Sequence, residues 1–132
     1  MSWPKKVEKV YEILGGEERI WLRSDEPDAC IGWIGPSNID DHSSDVGIVI
    51  DDYCAYFETA VCETSEIEVA DLIAEIVQQG MAVDDDEEFF VLTGKIHLVD
   101  SLVEEPSILR QLVDSMIIDL ANTAKSLRAE LL

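Results

Sequence analysis

The C-terminal stretch of the chain carries one apolar stripe without a break, and this stripe constrains the fold more than any other feature. It follows Pro106, which suits the first turn of a helix because that turn does not use the N–H that proline lacks. Its members recur at helical spacing: Leu109, Leu112, Val113, Met116, Leu120, Ala124, Leu127 and Leu131. The spacing predicts a helix of roughly seven turns, about 37 Å long, that buries one face.

The N-terminal segment predicts another amphipathic helix, over residues 3–14. Its buried face follows the spacing i, i+3, i+4, i+7 in Val7, Val10, Tyr11 and Leu14. Pro4 is tolerated in the first turn. Gly15 and Gly16 end the helix, because glycine readily adopts the backbone conformation that follows a helix C-terminus.

Strands are predicted where apolar and polar residues alternate. Residues 18–24 and 29–34 form the first two strands. The β-branched and aromatic runs 46–50 and 53–61 fit either one long bent strand or two strands joined at Asp51-Asp52.

The middle of the chain, residues 65–80, predicts a capped helix with apolar side chains on two flanks. Ser65 and Glu68 have the spacing of a capping box, and Gly80 suits the position after the C-terminus. The two flanks cover roughly 220° of the helix, whereas packing against one core needs roughly 100°. Either both flanks are buried inside the domain, or one of them contacts a partner chain. In the second case the flank that contacts the partner chain consists of Ile67, Ala70, Ala74 and Val77.

The segments follow the order α-β-β-β-α-β-β-α in a single domain, residues 1–132. The last two strands are predicted at 89–93 and 95–99, with Gly94 as a turn or a bulge. Short connections make neighbouring strands antiparallel. We therefore expect an α+β fold, with an antiparallel sheet of about five strands and helices on one face.

The charge of the chain narrows the choice of partner. It has 29 acidic and 9 basic residues, a formal net charge of −20. This charge disfavours nucleic acid, which needs clustered Lys and Arg, and an anionic membrane surface. It favours a basic partner that is attracted over a distance. We expect a protein partner, with no nucleic acid and no membrane.

The sequence also indicates the cytoplasm. No apolar run is long enough to span a bilayer, and the start MSWPKK has no signal peptide. Cys30, Cys54 and Cys62 are an odd number of cysteines without a CxxC pair, so neither a disulfide framework nor a zinc site is indicated. Such cysteine usage is typical of a reducing compartment.

No pattern of catalytic residues is evident, and we expect no catalytic site, no cofactor and no metal. The acidic run 84–88 lacks the alternating ligands, the central glycine and the final glutamate of a calcium loop, and it is expected to be a solvated loop. The competing interpretation is a cysteine or metal enzyme. It requires His42 or His97 to meet Cys54 or a carboxylate cluster.

The candidate partner surface lies in the first two strands. Alternation separates the side chains of the first strand into two faces, Arg19, Trp21 and Arg23 against Ile20 and Leu22. If the Ile20 face packs on the helices, Trp21 lies on the outer face between two arginines, a composition typical of protein-binding patches. Trp33 either joins this patch or is buried. The alternative is that both tryptophans belong to the core.

Four segments carry a resemblance to a known family: VEKVYEIL, SEIEVADLIAEIVQQG, FFVLTGKIHLVD and SILRQLVDSMIIDLANTAKSLRAELL. Their order along nearly the whole chain resembles the type III secretion chaperone-like superfamily, which includes the YbjN-type proteins. The resemblance implies a cytoplasmic, non-catalytic protein, commonly a homodimer, that holds a partner polypeptide. In secretion chaperones the mid-chain helix often contributes to dimerisation. The resemblance therefore implies that Ile67, Ala70, Ala74 and Val77 form the interface of a homodimer.

Two functions follow as expectations. The first is a secretion-chaperone-like binding module that acts as a homodimer. The alternative is an acidic antagonist, either an immunity protein or a nucleic-acid mimic, that holds a basic partner through carboxylates. Its acidic surface would consist of Asp40, Asp41, Asp45, Asp51, Asp52 and residues 84–88.

Overall fold

The computed structural model describes residues 3–25, 27–35, 46–63, 82–85 and 89–131. In chain order the elements are α1 (Lys5–Ile13), a single 3-10 turn (Gly16–Glu18), β1 (Ile20–Asp25), β2 (Cys30–Ile34), β3 (Val46–Ile50), β4 (Cys54–Glu63), β5 (Ala82–Asp85), β6 (Phe89–His97), α2 (Asp100–Val103) and α3 (Pro106–Leu131).

An antiparallel sheet of six strands forms the centre of the fold. Its strands lie in the order β1-β2-β3-β4-β6-β5, and each neighbouring pair is antiparallel. The predicted α+β class is confirmed. The sheet has six strands rather than about five. The run 46–63 forms two strands, whereas the strands predicted at 89–93 and 95–99 are the single strand β6. The sixth strand is β5, which was not predicted, and it includes Asp84 and Asp85 of the run expected to be a solvated loop. The helix predicted at 65–80 lies outside the described residues.

The prediction for Gly94 is wrong. This glycine is neither a turn nor a bulge, since β6 continues through it and pairs with β4 in unbroken register from His97 to Val91. A Cβ atom on Gly94 would overlap Met116 Sδ of α3. The missing side chain therefore lets α3 approach the sheet closely.

The β3–β4 turn is held by the side chain of Asp51. Its Oδ1 accepts hydrogen bonds from the backbone N–H groups of Tyr53 (2.7 Å) and Cys54 (2.8 Å), as aspartate often does in tight turns. The backbone N–H of Asp51 also donates to the Cys54 carbonyl at 3.1 Å. These contacts make the run two strands instead of one bent strand.

One face of the sheet is buried under α1 and α3. The strands contribute alternate residues to this core: Ile20, Cys30, Ile34, Val46, Ile48, Ile50, Ala55, Phe57, Leu92 and Ile96. The helices cover it with Val7, Val10, Leu14, Leu109, Val113, Ile117, Leu120, Ala124 and Leu127. The described long helices thus lie on one face, as predicted.

The buried stripe of α3 is rotated slightly from the predicted one. Leu112 is exposed, whereas Ile117 is fully buried. Ile117 follows Val113 by four residues and precedes Leu120 by three, so it lies on the middle of the buried face. Because Leu112 and Val113 are adjacent apolar residues, periodicity alone does not decide which of them faces the sheet.

Strand β1 approaches β2 unusually closely at Gly32. The pairing register shifts between Leu22 and Ser24, so Arg23 is the extra residue of a β-bulge. A Cβ atom on Gly32 would overlap the Trp21 carbonyl oxygen and lie 2.9 Å from its carbonyl carbon. Glycine at this position is therefore required by the close approach of the bulged strand.

We predict that Gly32→Ala lowers the free energy of unfolding by about 1–3 kcal/mol, because the new methyl group overlaps backbone that cannot rotate away. Gly47→Ala on the next strand is the control. A Cβ atom there meets Glu58 Cγ at 3.1 Å, part of a flexible side chain. Urea unfolding measures the decrease in the free energy of unfolding for each variant. Equal decreases would show that β1 can shift away from position 32, and they would contradict this account.

Candidate protein-binding surface

Two tryptophans lie side by side on the face of the sheet opposite α1 and α3. Trp21 of β1 and Trp33 of β2 are directly paired in the antiparallel register. Their side chains point away from the core, and they are 49% and 39% exposed. We call the patch formed by Trp21, Arg23 and Trp33 the tryptophan face.

Two neighbours fix the orientation of the Trp33 ring. The Arg23 guanidinium carbon lies 5.6 Å from the ring centroid, which is the geometry of a cation–π contact. On the other side Trp33 pairs with Gly47, and a Cβ atom on that glycine would lie 3.6 Å from Trp33 Cζ3. A large aromatic ring is therefore held in place while much of it remains exposed.

Arg19 does not belong to this surface, and its predicted grouping with Trp21 and Arg23 is wrong. It precedes β1 and its side chain is only 11% exposed. Its guanidinium forms an ion pair with Asp114 of α3 through Nη2, and its Nε donates to the Gly35 carbonyl at 3.2 Å. Its Nη1 is buried without a hydrogen-bond partner among the described residues. Arg19 therefore anchors α3 to the beginning of β1.

A groove whose lining residues were not singled out from the sequence lies on the other face of β1. Its lining residues are Trp3, Glu8, Tyr11, Glu12 and Leu22, and its volume is about 240 Å³. Leu22 was predicted to face the core with Ile20, yet it is 46% exposed. The reason is that β1 is the outermost strand, so its core-facing side is only partly covered by α1. We call this feature the β1 groove.

The β1 groove has an apolar part, formed by two aromatic rings, and a polar part, formed by two carboxylates. The Trp3 and Tyr11 rings pack edge to face, with centroids 5.0 Å apart. Glu8 and Glu12 are one helical turn apart on α1, so both carboxylates lie on the same side of the helix. Neither forms an ion pair with another described residue. The groove thus combines an aromatic wall with two carboxylates that form no ion pair with a described residue.

The sheet also brings together one pair that the enzyme interpretation required. Cys54 and His97 are directly opposite each other on β4 and β6. However, burial first, and then the nearby Asp51 carboxylate, raise the pKa of the Cys54 thiol, and only Lys95 lowers it. A thiol in this setting stays protonated and is a poor nucleophile. His42 lies outside the described residues.

A buried thiol faces the core on β2. Cys30 is fully buried and not disulfide-bonded. Burial raises the pKa of this thiol to about 11, which is typical of a structural cysteine. Within the described ranges no three His, Cys, Asp or Glu side chains are grouped so that they could hold a metal ion.

Several predicted features fall on residues that the structure does not describe. The proposed dimer interface, Ile67, Ala70, Ala74 and Val77, is one of them. The acidic residues Asp40, Asp41 and Asp45 and residues 86–88 are others. Among the helices that are described, none has the length and apolar character needed to cross a membrane.

No protein-family model matches this sequence, and no curated protein is significantly similar to it. The resemblance to the secretion chaperone-like superfamily therefore stays a prediction. Any function must be inferred from the described surfaces.

We predict that Asp114→Asn lowers the free energy of unfolding by about 1–3 kcal/mol, because it leaves the nearly buried Arg19 guanidinium without its carboxylate. The control is Asp100→Asn, which removes the carboxylate of the Lys6–Asp100 ion pair, 3.1 Å long, in which the Asp100 side chain is 86% exposed. It is expected to change stability by less than about 0.5 kcal/mol. Thermal and urea unfolding compare the two, and a larger loss in Asp100→Asn would contradict the anchoring role of Arg19.

We also predict that stability falls as the pH rises from about 9 to about 11, because Cys30 keeps its proton in the folded state. Unfolding exposes the thiol, whose ordinary pKa is 9.0, so alkali favours the unfolded state by at most about 1.4 kcal/mol per pH unit. Below about pH 9 the stability that the protonated Cys30 thiol contributes to the folded state is fully present. Urea unfolding at pH 8 and pH 10.5 should show a smaller loss in Cys30→Ala than in the wild type. An identical pH dependence in both proteins would contradict the prediction.

Proposed function

We propose that this chain is a non-catalytic protein-binding module, similar in its action to secretion chaperones, that holds a partner polypeptide on its tryptophan face. The observation that carries the proposal is the exposed, register-paired arrangement of Trp21 and Trp33 on the side of the sheet away from α1 and α3. Tryptophan and arginine dominate the binding energy of many protein interfaces.

Little side-chain conformational entropy is lost when a partner binds at this surface. The Trp33 ring contacts the Arg23 guanidinium and lies beside Gly47, so binding orders it less than a ring without such neighbours. Preorganised aromatic residues bind well because less conformational entropy is lost. Contact with a partner would remove apolar ring surface from water, the main favourable contribution to association.

The charge of the chain supports a basic polypeptide as the partner. At a net charge of −20, a polypeptide rich in Lys and Arg is attracted, and an acidic one is repelled. The free thiols of Cys30 and Cys54 suit the reducing cytoplasm, where we place the protein in this proposal.

Homodimerisation is part of the same proposal and rests on the sequence of residues 65–80. If Ala74 lies at a dimer interface, Ala74→Glu gives a folded monomer, because carboxylates buried in the interface oppose each other. Light scattering after size-exclusion chromatography measures the mass, and circular dichroism checks the fold. A dimeric wild type whose variant unfolds would place this flank in the core, and a monomeric wild type would contradict dimerisation outright.

The acidic antagonist has less support. Of its described carboxylates, Asp51 is engaged in the β3–β4 turn through two backbone N–H groups. The remaining residues of that predicted surface, apart from Asp52, have no described side chain. The described residues of that predicted acidic surface therefore form no carboxylate cluster that favours this function over peptide binding.

Selection from a random-peptide display library tests the proposal. We expect peptides that bind the wild-type protein and lose about tenfold or more in affinity for Trp21→Ala and for Trp33→Ala. Tyr53→Ala is the matched control, because Tyr53 is an exposed aromatic residue on the β3–β4 turn, away from the tryptophan face. It should leave the affinity unchanged.

Two results would overturn the proposal. One is a library from which no peptide is enriched on the wild-type protein. The other is a set of enriched peptides that bind Trp21→Ala and Trp33→Ala as well as they bind the wild type. Thermal unfolding of each variant confirms that a loss of binding is not a loss of fold.

A further inference from the structure

We propose that the partner of this module binds as an added strand along the outer edge of β1, through an extended segment in which Lys or Arg alternates with apolar residues. This inference rests on the proposed function and specifies the chemical class of the partner. Peptides that extend a sheet edge obtain affinity from backbone hydrogen bonds and specificity from the side chains on alternate sides.

Strand β1 lies at one edge of the sheet formed by the described strands. Among the described strands β1 pairs with β2 alone. Three consecutive residues, Trp21, Leu22 and Arg23, are exposed, although alternate residues of a strand point to opposite faces. Side chains on both sides of β1 are therefore accessible, and no described strand pairs with the outer edge of β1.

The two sides differ in chemistry. On the side of α1, the β1 groove offers the aromatic wall of Trp3 and Tyr11 and the carboxylates of Glu8 and Glu12. A Lys or Arg side chain suits this groove, because its aliphatic stem packs on the rings while its charged end pairs with the carboxylates. The volume of about 240 Å³ is below that of most small-molecule pockets and suits a single long side chain.

The other side presents the tryptophan face. A peptide residue opposite Leu22 would direct its side chain into the β1 groove, and the residues before and after it would lie beside Trp21 and Arg23. Apolar residues at those two positions would bury ring surface of the tryptophan face. The recognised pattern is therefore apolar–basic–apolar in an extended conformation.

A second copy of the chain is a poorer occupant of this edge. Two chains that met at this edge would bring the Glu8 and Glu12 carboxylates of both β1 grooves into the same contact. The bulge at Arg23 also interrupts regular pairing, a feature that protects edge strands against continuous sheet extension. A short basic peptide needs to pair only with the segment that precedes the bulge.

The direct test uses a fluorescein-labelled peptide of six Val-Lys repeats, measured by fluorescence anisotropy at physiological ionic strength. Its control has the same composition in the repeating order Val-Val-Lys-Lys, which cannot place all its lysines on one side of a strand. We expect the alternating peptide to bind at least about fivefold more tightly than the control. Equal binding would show that only net charge is recognised and would overturn the proposal.

Substitutions on the protein locate the site. The double variant Glu8→Gln, Glu12→Gln should bind the alternating peptide about fivefold more weakly, since two ion pairs are lost. Glu104→Gln with Glu105→Gln removes the same charge from two exposed residues of the α2–α3 connection, and it should change binding less than twofold. If both double variants weaken binding equally, the β1 groove is not the site.

Backbone methylation distinguishes an added strand from a side-chain contact. Two versions of the alternating peptide carry N-methyl groups, one on the valines and one on the lysines. Only alternate N–H groups of an added strand face β1, so one version should lose binding and the other should keep it. Equal loss or equal retention would contradict strand addition.

The results separate this inference from the proposed function. If the alternating peptide fails these tests while selected peptides still depend on Trp21 and Trp33, the module binds its partner on the tryptophan face without strand addition. If neither kind of peptide binds, both the inference and the proposed function are wrong.

Discussion

The burial of one face of the sheet under α1 and α3 determines which residues of the sheet are exposed on the other face. The core residues of α3, centred on Val113 and Ile117, pack on the middle strands of the sheet. Because these described helices all lie on that side, they leave Trp21 and Trp33 accessible on the other. The exposure of the tryptophan face is therefore a consequence of one-sided packing and of the position of β1 at the end of the strand order.

Two local contacts hold β1 in that position. The Arg19–Asp114 ion pair connects the beginning of the strand to α3, and the close approach at Gly32 fixes the bulged part of the strand against β2. An edge strand held at two points keeps its outward groups in a fixed geometry. Such preorganisation favours binding of an extended segment, because little conformational entropy is lost on the side of the protein.

Much of the fold could be predicted from sequence, since periodicity specifies helices, strands and the face that each buries. The residues of the candidate binding surface were predicted less well, because the alternation within a strand does not show whether that strand lies at the edge or in the middle of the sheet. Leu22 has the pattern of a core residue but is exposed at the edge, and Arg19 has the parity of Trp21 but lies before the strand begins. The β1 groove and the pairing of Cys54 with His97 depend on tertiary register, which no local pattern contains.

Hydrogen–deuterium exchange of the protein with and without the alternating Val-Lys peptide tests the central claim most directly. A strand added to β1 would slow the exchange of outward-facing backbone amides between Ile20 and Leu22, whereas the amides in the middle of α3 would exchange at the same rate in both samples. That result is the one this account predicts. Unchanged exchange in β1, with slower exchange confined to another part of the surface, would contradict it.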